Sequence, residues 1–141
     1  MVDYFTRFSC VLDVGTPHNA ARALDLYPAC MEQAAREGAL TGGFLVSVHP
    51  DDRGTKLWMR DGITGDPLQV ILFVQRCAEV FGLTGRWGFG WANTCSQPQI
   101  NAFSGGAHVL DLATRKPVAW IHTNGWLARE IRSGRRVRGE T

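Results

Sequence analysis

No stretch of this chain approaches the ~20 consecutive apolar residues that a helix needs to cross a bilayer. The opening run, MVDYFTRFSC, carries Asp3 and Arg7 and has no long apolar core. No secretory leader and no membrane partner are therefore expected, and the expected compartment is the cytoplasm. None of the four cysteines, Cys10, Cys30, Cys77 and Cys95, lies two to four residues from another. That removes the zinc-finger and redox CxxC spacings. Cys10, Cys30 and Cys77 fall within strand and helix patterns and read as buried thiols; no metal and no cofactor is expected. A dominant charge is also missing from the body of the chain. Residues 1–128 hold ten Lys and Arg against eleven Asp and Glu, whereas residues 129–141 hold five Arg against two Glu. The basic character belongs to the tail, so nucleic acid is not the expected partner.

What is present suits one core. A length of 141 residues fits a single domain, expected over 1–132. The tail 133–141, SGRRVRGET, has too little apolar content to pack and is expected to be disordered.

The order of elements follows from periodicity and punctuation. Residues 4–14 read as one strand, with Tyr4, Phe8, Cys10, Leu12 and Val14 on one parity. Thr16-Pro17 starts a helix, a hydroxyl cap followed by a residue pre-set for the first turn. Pro28 is expected to kink or split that helix. Residues 44–48 and 56–60 form a hairpin across HPDDRGT. Asp66-Pro67 starts a second helix over 67–81, apolar on nearly every side, with Gly82 as its stop. Residues 86–92 are another strand. A hairpin of 107–112 and 118–123 and a short helix over 124–132 close the chain, with Asn124 as cap and Leu127 and Ile131 as the inward edge. The predicted class is α+β: an antiparallel sheet with helices on one face, in the ferredoxin-like βαββαβ order, plus the closing hairpin and helix.

Three features could carry function. In Trp87-Gly88-Phe89-Gly90-Trp91 the aromatics project to one face of a strand and the glycines to the other. Either the aromatics fill the core, or they stand on an open face where a planar ligand stacks. The loop 93–106, NTCSQPQINAFSGG, offers Asn93, Asn101, Ser104 and other neutral donors and acceptors without a single charge. That composition suits a small polar ligand or a protein surface better than phosphate. In the closing hairpin a symmetric 113–117 loop would set His108 opposite His122, half of a metal site or a pH-responsive contact. A slip in register would abolish that pairing. Cys95 on the loop, with a hairpin histidine as base, is the pattern for a small cysteine-dependent hydrolase or transferase.

The runs VDYFTRFSCVLDVGTP, KLWMRDGITGDP and WANTCSQPQINAFSGGAHVLDLATRKPVAW resemble a group of small uncharacterised proteins from proteobacterial plasmids, phages and other mobile elements. The resemblance implies a bacterial, intracellular accessory role and brings no activity or site residue with it. The expected function is a non-catalytic module that binds a small polar ligand or a protein partner. Its expected site is Trp87, Phe89, Trp91, Asn93, Asn101, Ser104, His108 and His122. The alternatives are the Cys95 enzyme and an interaction or inhibitor protein acting as a homodimer.

Overall fold

The computed structural model describes residues 3–38, 43–51, 53–97, 99, 103–134 and 137. Along them run β1 Tyr4–Arg7, β2 Ser9–Asp13, α1 Pro17–Arg36, β3 Leu45–Val48, β4 Lys56–Arg60, α2 Pro67–Phe81, β5 Arg86–Cys95, β6 Ser104–Asp111, β7 Lys116–His122 and α3 Thr123–Ser133. The class is α+β, with every strand pair antiparallel. Among the described residues no helix is long and apolar enough to cross a membrane. Most of the expected tail lies outside them.

Both long helices start where their caps predict. The Thr16 hydroxyl accepts the Asn19 N–H at 3.0 Å, and the Asp66 carboxylate accepts the Leu68 N–H at 3.1 Å. Gly82 ends α2 at φ 63°, a left-handed conformation that suits glycine. The helix is not split: α1 runs unbroken through Pro28. Ala20 and Ala23 before the proline and Ala34 after it are all buried, so packing keeps both halves in one helix.

The strands also depart from the single expected sheet. They form two, β2-β4-β3 and β1-β5-β6-β7. The predicted strand 4–14 divides at Phe8, and its halves belong to different sheets. The loop after β4 is the cause. Phe8 N–H donates to Asp61 Oδ1 at 2.8 Å, and Asp61 N–H donates to the Phe8 carbonyl at 3.2 Å. Thr6 N–H donates to Thr64 Oγ1 at 2.8 Å, and Gly65 N–H donates to the Thr6 carbonyl at 3.0 Å. Residues 61–65 thus occupy the backbone groups that a longer β4 would have paired. A side chain at position 65 would overlap the Phe8 ring, so glycine is required there.

One core unites both sheets. Leu12, Val14, Leu57 and Met59 from the smaller sheet and Trp87, Phe89 and Leu110 from the larger pack with Val70, Phe73, Val74 and Cys77 of α2 and Ala20 and Ala23 of α1. Cys77 is buried; Cys10 and Cys30 are half-buried, and all are free thiols. Burial pushes the Cys10 and Cys77 thiols up to about 12, which keeps them unreactive at neutral pH.

Candidate binding surface

The inner face of the larger sheet is built in rungs. Phe89 of β5 lies opposite His108 of β6, which lies opposite Trp120 of β7; Trp91, Gly106 and His122 form the next rung. Trp87 opposes Leu110. Alternate residues of a strand share a face, so all these side chains point toward the helical layer.

Trp87 and Phe89 do not stand on an open face. They are 9% and 8% exposed and belong to the core. Their rings stack at 5.1 Å, and Phe8 meets Phe89 edge-on at 5.9 Å. The Trp87 indole N–H donates to the Val11 carbonyl at 2.9 Å, linking β5 to β2. Large aromatics gain most by full burial, and here the helices and both sheets supply it. Of the three aromatics, only Trp91 is partly accessible. Its indole lies across Gly106, where any Cβ would overlap it, so the glycine is what lets Trp91 lie flat on the sheet.

From Trp91 the ring contacts continue outward. Trp91 meets His122 at 6.2 Å, His122 meets Trp120 at 5.5 Å, and Trp120 meets His108 edge-on at 4.9 Å. His108 is 1% exposed, and neither ring nitrogen has a hydrogen-bond partner. Burial pushes its pKa down, which keeps the ring neutral.

His108 and His122 do not face each other. The hairpin loop is not the symmetric five-residue 113–117. The Asp111 carboxylate accepts the Thr114 N–H at 2.9 Å and the Thr114 hydroxyl at 2.6 Å, and Arg115 N–H donates to the Asp111 carbonyl at 2.7 Å. That closes a shorter turn, with Arg115 left-handed at φ 63°. A bulge between Val109 and Leu110 shifts the register again. The net slip at His108 is two positions, so both histidines stay on the inner face as diagonal neighbours.

The polar stretch is largely hairpin. Strand β5 continues to Cys95 and β6 begins at Ser104, which leaves 96–103 as the connection. The Asn93 amide donates to Ser104 Oγ at 2.8 Å, and the Thr6 hydroxyl donates to Asn93 Oδ1 at 2.9 Å. These groups tie β1, β5 and β6 together. Asn101 lies outside the described residues. Cys95 donates its S–H to the Gln97 carbonyl. His108 stands opposite Phe89, six strand positions from Cys95 and so roughly 20 Å away. His122 is aligned with Trp91, four positions and roughly 13 Å away. Neither hairpin histidine is placed to act as base for that thiol. Among the described residues no group of three His, Cys, Asp or Glu could hold a metal ion.

Two features were not anticipated from the sequence. A cleft of about 490 Å³ between α1 and α2 is lined in part by Leu26, Cys30, Gln69, Leu72, Phe73 and Arg76. Arg76 is engaged by Glu79 at 3.2 Å. The second is the C-terminal end of the sheet. All seven residues of β7 are exposed, and no residue of α3 is buried. Trp120 is 53% exposed, Trp126 47%, Leu127 51% and Ile131 74%. Leu127 and Ile131, expected to face inward, point to solvent instead. The Thr123 hydroxyl accepts the Gly105 N–H at 2.9 Å, and His122, not Asn124, occupies the capping position. The signal in the sequence was the density of large apolar residues between 118 and 131, too many for one short hairpin and helix to cover.

No protein-family model, no curated protein and no solved structure matches this chain.

Proposed function

We propose that this chain is a non-catalytic binding module that docks a protein through the open end of its larger sheet, formed by β7 and α3. The observation that carries this reading is the exposure of Val118, Trp120, Ile121, Trp126, Leu127 and Ile131 within fourteen consecutive residues. Trp120 and Ile121 project to opposite faces of β7, so the apolar surface wraps the open edge of the sheet on both sides. Trp91 and His122 border the surface, with His108 behind Trp120. The separation of Cys95 from both hairpin histidines weighs against the enzyme reading. The frame is proposed as ferredoxin-like: with β1 and β2 counted as one strand interrupted at Phe8, the pairings run β5, β1/β2, β4, β3, and β6 and β7 extend the β5 edge. The resemblance to mobile-element proteins supports an accessory role in a bacterial cell.

The test is whether the surface is free in the lone chain. At submicromolar concentration, Leu127→Arg combined with Ile131→Arg is expected to leave stability within about 0.5 kcal/mol of the parent, as for exposed positions generally. Urea denaturation measures it. A loss of about 2 kcal/mol or more would mean that the chain covers these residues itself, and the docking surface would disappear with it.

A further inference from the structure

We infer that the partner at this surface is a second copy of the same chain, paired edge to edge through β7. The inference rests on the reading that β7 and α3 form a docking surface, and it names the occupant. Strand β7 ends the order β1-β5-β6-β7, so among the described residues no strand pairs with its outer edge. An exposed apolar edge is a template for another strand. The usual guards, a lysine and a proline, stand only at its first two positions, Lys116 and Pro117.

The strand is complementary to itself about Trp120. Its regular pairing with β6 covers Ala119–His122, and the bulge interrupts it before Pro117. A two-fold axis normal to the sheet keeps each face on its own side, so paired residues must share parity. Val118 is the unpaired residue of that bulge, so within Ala119–His122 an axis centred on Trp120 sets small Ala119 beside large Ile121, whereas one centred on Ile121 sets Ile121 against itself and Trp120 against His122. In the Trp120 register the two indoles meet across the axis and Ala119 meets Ile121 of the second copy. Small faces large, aromatic faces aromatic, and no like charges oppose. The same register brings the first turn of α3 beside Pro117 and Val118 of the other chain. That helix has eleven residues, shorter than the ~12–15 at which isolated helices hold, and its apolar stripe gains cover there.

Light scattering on size-exclusion fractions and register-specific cross-linking test this in the full chain. At tens of micromolar the protein is expected to elute with the mass of two chains. Ala119→Cys mixed with Ile121→Cys is expected to form an interchain disulfide. Either variant alone is not, because like positions then lie ~7–8 Å apart on the diagonal. Trp120→Glu is expected to raise the dissociation constant at least tenfold with an unchanged circular dichroism spectrum. A monomer at the same concentration overturns the second-copy inference but leaves the docking surface for another partner. A dimer that survives Trp120→Glu, or that fails to cross-link in the mixture, overturns it as well.

Discussion

His108 is a neutral histidine placed in an apolar wall, with both ring nitrogens unpartnered. A buried polar atom without a partner costs roughly 1–3 kcal/mol, so this residue is kept against stability. Its folded pKa is lowered by burial, while the unfolded chain takes up the proton near the ordinary histidine value of ~6.5. The sign follows: the unfolded state binds more protons as pH falls below ~6.5, so His108 leaves stability unaffected above that pH and reduces it progressively below. His108→Leu is therefore expected to gain about 1 kcal/mol at neutral pH and to flatten the stability profile between about pH 5 and 6.5. Urea denaturation across that range measures both, and an unchanged slope would show that another group carries the acid sensitivity. At this scale the sequence was only partly legible. It gave the shared parity of Trp87, Phe89 and Trp91, but parity does not say which face the helices cover. The packing that decided it, Phe8 against Phe89 and the Trp87 indole on Val11, joins residues about eighty positions apart.

The two long helices, marked by chemical punctuation at their ends, were legible; the Asn124 cap of α3 and the elements fixed by distant contacts were not. Thr16-Pro17, Asp66-Pro67 and Gly82 mark helix ends through local bonds, so α1 and α2 begin and α2 ends where expected. The hairpin register escaped because its turn is organised by Asp111 and by a left-handed arginine, without the glycine that usually signals such a bend. The division of the first strand escaped because its cause, residues 61–65, is some fifty positions away. Asp61 is central to that division. It accepts the Phe8 N–H and pairs with Arg7 at 2.9 Å. Asp61→Ala would leave the Phe8 N–H unmatched between the two sheets and is expected to cost roughly 1–3 kcal/mol. Asp61→Asn keeps an acceptor and is expected to recover most of that loss. Equal destabilisation by both, read from denaturant midpoints, would mean the charge and not the acceptor holds the strand break.

At the scale of the whole molecule the chain is asymmetric. The core closes around β2, β4, β5 and the two long helices, while β7 and α3 carry the densest run of exposed large apolar residues along the chain. Of the aromatics on the expected site, the sheet spends Trp87 and Phe89 on its own core, while Trp120 and Trp126 remain outside. This has a thermodynamic consequence if two copies share that exposed run. A protein that folds as a dimer gains stability with concentration by mass action, because association draws on the folded state only. A tenfold rise in concentration adds about 1.4 kcal/mol per dimer, or roughly 0.7 per chain. For a chain of this length that is expected to raise Tm by about 2–4 °C per decade of concentration. Calorimetry at low and high micromolar protein reads the shift directly, and the Trp120→Glu variant should abolish it. A melting temperature independent of concentration would place the exposed surface outside the folding equilibrium, available to a partner yet contributing nothing to the stability of the isolated protein.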